Sequence, residues 1–240
     1  MDLSIVIPVL NESEKIARDV EAAAKFLQNN NFSGEIIVVD DGSNDNTAEA
    51  AKLAKISSGV ALKVIRYGRH RGKGYAVRTA IMQSRGEYVM FADSGCCVPY
   101  NNVLRGLGLL KSGACDIAHG SRKIQGSHIE KGRSLYRRIC ARIFHWFVIF
   151  YMKIPAEFTD TQCGFKIYKG DVARKFYGEC ITNGFAFDIE IIMRAREQGY
   201  RIKEFPIDWT CDRDSRLSPT RSFWRILLEL ITIKRIITRK

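Results

Sequence analysis

Residues 38–47 read VVDDGSNDNT and continue a β-branched, apolar run. The run ends abruptly in two adjacent carboxylates, Asp40 and Asp41, and a glycine and a serine come next as turn residues. Residues 44–47 are of helix-capping types, and an alanine-rich segment follows them. A buried strand, a turn and a capped helix in this order predict a strand–loop–helix unit of an α/β domain.

The two carboxylates allow two interpretations. In open α/β sheets ligands bind beyond the carboxyl ends of the strands, so Asp40 and Asp41 could bind a cation or accept hydrogen bonds from a base or ribose. In the alternative, the turn is merely capped, and Asp41 and Asp45 satisfy backbone N–H groups. Two carboxylates at one strand end favour the functional interpretation.

The chain of 240 residues carries a formal net charge of +12, from 38 Lys and Arg against 26 Asp and Glu. Such a balance suits a polyanionic partner: nucleic acid, nucleotide phosphates or an anionic membrane surface. The seven cysteines show no CxxC spacing, which predicts reduced thiols in a cytosolic compartment. No apolar run reaches the roughly 18 residues of a membrane-spanning helix.

Apolar runs alternate with helical patterns along the chain. Strands are predicted at residues 3–9, 35–39, 61–67, 87–91, 116–121 and 201–207. Helices are predicted at residues 13–28, 47–56, 75–84, 187–199 and 222–239, and a long aromatic helix is predicted to begin at about residue 134. This alternation indicates βαβ units and a mostly parallel sheet flanked by helices.

Charged residues mark further strand and helix ends. Residues 68–74, GRHRGKG, lack the spacing of a Walker loop, but they could contact a diphosphate or form a solvated basic turn. Asp93 follows the fourth predicted strand, so it could share one crevice with the first two carboxylates, where Mg²⁺ or Mn²⁺ would suit them. Near the start of a later helix, Asp188 is a functional candidate, and Glu190 is interpreted as a solvated residue.

Two helical segments combine an apolar stripe with arginines. The stripes are Tyr136, Ile139, Ile143, Phe144, Phe147 and Val148 in one, and Phe223, Trp224, Leu227, Leu228, Leu230, Ile231 and Ile233 in the other. Such helices lie in a membrane interface or pack into a soluble core, and each segment alone allows both interpretations. Together with the basic C-terminal tail they favour an anionic membrane surface, where each basic residue contributes ~1 kcal/mol.

Seven short motifs occur in an order known from one enzyme family. They are PVLNE at 8–12, VVDDGSNDNT at 38–47, RGKGYAVR at 71–78, FADSG at 91–95, HGSR at 119–122, DTQCGFK at 160–166 and FDIE at 187–190. In these residues the chain resembles the inverting family 2 glycosyltransferases of the GT-A fold, from residue 3 to residue 217. Within them it is most similar to the group that acts on polyprenyl phosphates, which includes dolichyl-phosphate β-glucosyltransferases and dolichol-phosphate mannose synthases.

The resemblance implies roles for individual side chains. The nucleotide base and ribose would be lined by Pro8, Asn11, Glu12 and Asp40. The sugar and the diphosphate would be met by Asp41, Lys73, Asp93 and Arg216. Phosphate groups of the donor or the acceptor would be met by Arg122 and Arg133. The implied catalytic residues are Asp93, Arg122, Gln162 and Asp188, the last two beside the acceptor.

The resemblance also implies a divalent cation, Mg²⁺ or Mn²⁺. Asp93 matches the first Asp of the family's DxD metal motif, whereas Gly95 stands in place of the second. The expected cation site therefore has Asp93 as its protein ligand, and the donor's diphosphate and water would complete it.

The implied activity is transfer of a hexose, with inversion, from a nucleotide-diphosphate sugar to a polyprenyl phosphate, which gives a β-linked lipid-phosphate sugar. Two alternatives stay open. One is a GT-A transferase that acts on a glycan or protein hydroxyl, with Asp188 or Glu190 as the base. The other is a sugar-nucleotide-binding or scaffold protein without transferase activity. Nucleic acid is not expected as a partner because no recognised nucleic-acid motif is present.

The expected organisation is one GT-A domain at residues 1–217, with a nucleotide-binding half at 1–95 and an acceptor half at 96–217. Residues 218–240 would form a C-terminal amphipathic basic helix. We expect a peripheral protein on the cytoplasmic side of a membrane, a location that is also compatible with a membrane-protein partner.

Overall fold

The computed structural model describes residues 1–56, 59–131, 135–210 and 219–237. The described strands are β1 (Leu3–Val9), β2 (Gly34–Asp40), β3 (Ala61–Arg66), β4 (Tyr88–Ala92), β5 (Ile117–Ser121), β6 (His128–Lys131), β7 (Phe165–Lys169), β8 (Ile202–Pro206) and β9 (Asp208–Thr210). Seven of them form one sheet in the order β3-β2-β1-β4-β7-β5-β8, and β6 pairs with β9.

Helices cover both faces of the large sheet. The described α-helices are α1 (Ile16–Asn29), α2 (Thr47–Lys52), α3 (Lys73–Met82), α4 (Val103–Lys111), α5 (Leu135–Met152), α6 (Gly170–Glu179), α7 (Phe187–Glu197) and α8 (Pro219–Ile237). Residues of α1, α2 and α4 form the core on one face, and residues of α3, α6 and α7 form the core on the other. The predicted α/β architecture, a mostly parallel mixed sheet flanked by helices, is confirmed.

Every residue of strands β1 and β2 is buried. They pair in parallel over their whole length, so that Val9 and Asp40 end the two strands side by side. Helix α1 covers them with Ile16, Val20 and Leu27, which recur at helical spacing and are fully buried.

Strand β7 runs antiparallel to both of its neighbours, β4 and β5. An antiparallel strand begins at the edge where its parallel neighbours end. The segment before Phe165 therefore lies beside the end of β4, and the N–H of Asp93 donates to the carbonyl of Gly164 at 2.9 Å. The strand β7 and the helices α4 and α6 are not among the predicted elements, because lysines and glycines interrupt their apolar runs.

Helices α5 and α8 share a third core with α7. Val148 of α5, Ile189 of α7, and Leu230 and Ile233 of α8 are all buried in it. This face of α8 therefore packs inside the protein, whereas Leu228 on the same helix is exposed. In the described part of the chain, no helix combines the length and the apolar character that crossing a membrane requires. The division of the chain at residue 217 stays a prediction.

Candidate active site

The end of β2 presents a carboxylate with unused hydrogen-bonding capacity. Asp40 is fully buried, and its Oδ1 accepts a hydrogen bond from the backbone N–H of Ser43 at 2.9 Å. Its Oδ2 has no hydrogen-bond partner among the described residues, and the Nε of Arg66 lies 3.6 Å away. Because a buried acceptor without a partner is costly, Asp40 is well suited to accept a hydrogen bond from a ligand.

The end of β1 is tied to the same turn. Asn11 has a left-handed backbone with φ of 54°, and its N–H donates to the Oγ of Ser43 at 2.7 Å. The Oδ1 of Asn11 accepts from the N–H of Asn44 at 2.7 Å, and the N–H of Glu12 donates to the Oγ1 of Thr47 at 2.8 Å. The polar ends of β1 and β2 thus form one rigid edge, at the point where the strand order changes direction towards β4.

Asp41 holds the glycine loop that starts α3. Its carboxylate accepts from the backbone N–H groups of Arg71 at 2.7 Å and Gly72 at 2.9 Å, and His70 Nδ1 lies 2.8 Å away. Gly72 has a φ of +111°, and a Cβ there would lie 2.3 Å from the carbonyl oxygen of Asn183, so only glycine fits. The predicted contact of Asp41 with the donor stays a prediction. Its observed contacts position the loop before Lys73.

Lys73 and Asp93 form an ion pair between two elements far apart in the sequence. The Nζ of Lys73, at the start of α3, lies 2.5 Å from the Oδ1 of Asp93, just beyond β4. Burial alone would lower the pKa of Lys73, but the charges of Asp93 and Asp188 outweigh it and raise the pKa above its usual range. The ammonium group is therefore charged, and the Asp93 side chain remains 44% exposed.

Helix α1 holds the loop that follows Asp93. The carboxylate of Asp19, buried in α1, accepts from the N–H of Gly95 at 2.6 Å and from the Sγ of Cys96 at 2.9 Å. Burial and the neighbouring Asp19 raise the pKa of Cys96 to about 12, so its thiol stays protonated. Gly95 has a φ of +96°, and an Asp at this position would therefore be strained.

Arg122 is bound to the segment that leads into β7. Its Nε and Nη2 each lie 2.6 Å from one oxygen of Asp160, which makes a bidentate ion pair. Burial would raise the pKa of Asp160, but the hydrogen bonds and charge of Arg122 lower it below the usual range. The predicted phosphate contact of Arg122 stays a prediction, and Asp160 fixes the position from which the guanidinium could make it.

A second ion pair, Lys166 with Asp188, lies deeper in the protein. The Nζ of Lys166 is fully buried and donates to Asp188 Oδ1 at 2.6 Å, to the carbonyl of Cys163 at 2.9 Å and to the carbonyl of Thr161 at 3.2 Å. Burial raises the pKa of Asp188, an effect that the charges of Lys166 and Lys73 oppose. Lys166 thus connects the start of β7 to the first turn of α7.

Residues 4–177 match the family model described as Glycosyl transferase family 2. The chain belongs to glycosyl transferase family 2. The predicted resemblance to these enzymes is thereby confirmed, and the protein is a glycosyltransferase.

Two relatives within the family are similar to the chain over nearly its whole length. A dolichyl-phosphate beta-glucosyltransferase of Dictyostelium discoideum is 30% identical over 242 residues, which cover 97% of this chain and 73% of the relative. A dolichyl-phosphate beta-glucosyltransferase of Homo sapiens is 31% identical over 251 residues, covering 97% and 74%.

Solved structures match the fold of this glycosyltransferase. Glucosyl-3-phosphoglycerate synthase from Mycobacterium tuberculosis, crystallised with Mn²⁺, UDP and phosphoglyceric acid, superimposes with a TM-score of 0.72 at 16% identity, over 97% of this chain and 78% of that one. S. aureus TarS 1-349 superimposes with a TM-score of 0.61 at 18% identity, over 97% and 65%. At such identities the likeness establishes the fold, and the predicted GT-A fold is confirmed.

Of the buried charged residues in this glycosyltransferase, Lys166 was not predicted from the sequence and Glu190 was predicted incorrectly. Lys166 is absent from the predicted site, although an isolated lysine in the apolar run FKIYK is a signal, because buried lysines are almost always paired. Glu190, interpreted as solvated, is fully buried and accepts from the N–H of Thr182 at 2.9 Å and from Arg194 Nε at 2.8 Å. That interpretation is wrong because the loop before α7 folds back over the helix.

The remaining predicted residues have mixed outcomes. Gln162 lies in the segment held by Lys166, and its Nε2 is buried without a hydrogen-bond partner among the described residues. Pro8 is buried in β1, one residue before the strand ends. Arg133 and Arg216 lie outside the described residues. The roles given to these four in the glycosyltransferase stay predictions.

Proposed function

We propose that this glycosyltransferase moves a hexosyl group from a nucleotide-diphosphate sugar to a polyprenyl phosphate and inverts the anomeric centre. One observation carries the choice of acceptor: both carboxylates that the hydroxyl-acceptor alternative names as the base, Asp188 and Glu190, are already ion-paired. Asp188 is bound by Lys166, and Glu190 is bound by Arg194 and by backbone N–H groups. A hydroxyl acceptor needs a base, which makes the glycan or protein alternative the weaker one.

A lipid monophosphate needs no such base. Its second pKa is about 6, so it is largely a dianion at neutral pH. One of its oxygens attacks the anomeric carbon, the bond from that carbon to the donor diphosphate breaks, and the electron pair leaves with the nucleoside diphosphate. The protein has to hold two polyanions together, and the net charge of +12 suits that task. The names of the two relatives support the same acceptor class.

The donor would lie across the ends of β1, β2 and β4. Asp40, with its unpartnered Oδ2, would accept from the nucleoside, and Asn11 would border it. Lys73 stands at the start of α3, where the positive end of the helix dipole adds to its own charge near the diphosphate.

A divalent cation fits this site through Asp93. The described residues contain no cluster of three or more His, Cys, Asp or Glu side chains that could hold a metal, so a site made of protein ligands alone does not suit this part of the chain. The half-exposed carboxylate of Asp93 fits a cation that takes its other ligands from the donor diphosphate and water. When bound, Mg²⁺ or Mn²⁺ would offset the negative charge of the leaving diphosphate.

Helix α5 offers a surface for the lipid. Ile139, Ile143, Trp146 and Phe150 follow one another at helical spacing and are 49%, 62%, 68% and 73% exposed. The rings of Trp146 and Phe150 stack at 5.3 Å. The predicted stripe shares Ile139 and Ile143 with this face, whereas its other described members, Phe144, Phe147 and Val148, pack inward. We place the observed face against the membrane surface, on the cytoplasmic side that reduced cysteines suit.

Replacing Trp146 and Phe150 together with alanine is expected to weaken binding to anionic vesicles by about tenfold or more, since full burial of one large apolar side chain contributes ~1.5–3 kcal/mol. Vesicle sedimentation measures it. Leu53→Ala, at an apolar side chain that is 80% exposed at the end of α2, is the matched control and should bind as the wild type does. Equal sedimentation of the double variant and the wild type would rule out this face as the contact.

Replacing Asp40 with alanine is expected to lower donor affinity about tenfold or more, since a ligand donor left without its partner costs ~1–3 kcal/mol. Titration calorimetry with the active nucleotide sugar measures this change. Asn44→Ala, at an exposed side chain whose removal leaves the backbone N–H of the turn in place, is the control for the turn itself. Unchanged affinity in a folded Asp40→Ala protein would remove Asp40 from the site.

The proposed activity is tested by a screen of UDP- and GDP-sugars against polyprenyl phosphate, beginning with glucose because the relatives are named as glucosyltransferases. The expected product is a sugar-labelled lipid that partitions into organic solvent. Label transferred only to an aqueous glycan or protein would instead identify a hydroxyl acceptor. Donor binding without turnover would support the non-enzymatic alternative.

A further inference from the structure

The loop at residues 182–186 connects the two halves of the proposed site. On one side, the carbonyl of Gly184 accepts from the N–H of Gly74 at 3.2 Å, and the carbonyl of Asn183 accepts from the N–H of Tyr75 at 3.2 Å. These N–H groups belong to the first turn of α3, directly after Lys73. On the other side the loop leads into α7, whose first turn carries Asp188.

A carboxylate from the C-terminal helix closes this loop. The Oε2 of Glu229 in α8 accepts from the backbone N–H of Ala186 at 3.2 Å. The side chain of Glu229 is only 17% exposed. A Cβ on Gly184 would lie 2.0 Å from Oε1, so the glycine makes room for the carboxylate. The three residues therefore fit together as one contact.

Helix α8 holds this carboxylate in a fixed place. Leu230 and Ile233 are both 1% exposed in the core shared with α5 and α7. The Nζ of Lys234 donates to the carbonyl of Tyr151 in α5 at 2.7 Å. Because these contacts lie within five residues of Glu229 on its own helix, they fix the part of α8 that carries the carboxylate.

We infer that Glu229 is a positioning residue for the transfer reaction: it binds the 182–186 loop and so sets where Lys73 and Asp188 stand relative to each other. The inference rests on the proposed function, since it assigns the two residues to the donor side and the acceptor side. Glu229 itself is not proposed to touch either substrate. Helix α8 thereby contributes to the reaction centre through the loop.

The test compares Glu229→Gln, Glu229→Ala and the wild type as full-length chains. We expect kcat to fall about tenfold to a hundredfold in the alanine variant, the range that small displacements of catalytic groups produce, and less in the glutamine variant, which keeps one acceptor oxygen. The affinity for UDP or GDP, whichever binds the wild type, should fall less than kcat does, because Asp40 lies outside the loop and only the proposed Lys73 contact would be displaced. Glu197→Gln, at an exposed carboxylate near the end of α7, is the matched control and should behave as the wild type does.

A second readout is independent of activity. Amide hydrogen exchange should become faster at residues 72–76 and 182–188 in both Glu229 variants and stay unchanged along β1 and β2. If the alanine variant does not fold, the glutamine variant, which preserves the volume of the side chain, decides.

Three outcomes would overturn the inference: kcat equal to that of the wild type in a folded glutamine or alanine variant, a higher KM with kcat unchanged, or no change in exchange at the two segments. Failure of the proposed function looks different. In that case the wild type transfers nothing to polyprenyl phosphate, and the same comparison is made on whichever transfer or donor hydrolysis it catalyses.

Discussion

Replacing Lys166 with methionine is expected to lower the free energy of unfolding by ~3–5 kcal/mol, the cost of removing one partner from a buried ion pair. The ammonium group is fully buried and supplies three hydrogen bonds, one of them to Asp188. Methionine fills a similar volume but leaves the carboxylate and two carbonyls without their donor. Denaturant unfolding, followed by circular dichroism, measures the difference.

Lys169→Met is the matched control, on the same strand and next to another carboxylate. Its Nζ lies 2.7 Å from Asp116, but the side chain is 34% exposed, so the loss should be at most ~1 kcal/mol. A double variant, Lys166→Met with Asp188→Leu, should regain much of the stability, because no unpaired charge remains inside. Equal losses in the two single lysine variants would contradict the buried pairing of Lys166.

The destabilisation caused by Lys166→Met should depend on pH. Burial already raises the pKa of Asp188, and loss of the Lys166 charge removes an effect that opposes this rise. A carboxyl group with a raised folded pKa destabilises the fold once the pH exceeds its unfolded pKa, because only the unfolded state then releases the proton freely. The stability lost in Lys166→Met should therefore be larger at pH 7 than at pH 4.

Replacing Asp93 with asparagine is expected to reduce turnover by about 100-fold to 1000-fold, the range found when one electrostatic group of a transition state is removed. The carboxylate is the partner of Lys73 and the proposed cation ligand, and both roles depend on its charge. Affinity for the nucleoside diphosphate without metal should change little in Asp93→Asn, since the nucleoside would be bound by Asp40 and Asn11 rather than by Asp93. Steady-state kinetics and calorimetry measure the two quantities.

Asp208→Asn is the control for this substitution, because Asp208 is a partly exposed carboxylate paired with Arg105 at 3.6 Å. Removing divalent cations with a chelator should abolish wild-type turnover, and added Mg²⁺ or Mn²⁺ should restore it. Full turnover in chelator would mean that Lys73 and the arginines neutralise the diphosphate alone. Full turnover in Asp93→Asn would remove Asp93 from the reaction altogether.

Much of the proposed donor site could be predicted because the sequence signals that indicate it are local. The apolar runs of β1 and β2 are continuous, and each is followed at once by polar turn residues. Parallel pairing then places Asp40 beside the end of β1 without any distant contact. The end of the fourth predicted strand and the basic glycine loop likewise indicated Asp93 and Lys73, which the structure brings within 2.5 Å of each other.

Local sequence signals did not predict how the helices are oriented. Helical spacing shows which residues share a face but not which neighbour covers that face. Phe144 and Val148 of α5 pack against α7 and α8, so the face left to solvent is the one with Trp146 and Phe150. Glu190 was misjudged for the same reason, because several of its partners are backbone N–H groups of the loop before α7.

The amino-acid order alone therefore determines the alternation of strands and helices, the carboxylates at the strand ends and the membership of the glycosyltransferase family. The tertiary structure decides which charges meet. Lys166 reaches Asp188 only because β7 enters the sheet antiparallel, and Glu229 reaches the loop before α7 only because α8 packs on α5 and α7. A buried charge is stable only beside its partner, and for both residues that partner is distant in the sequence.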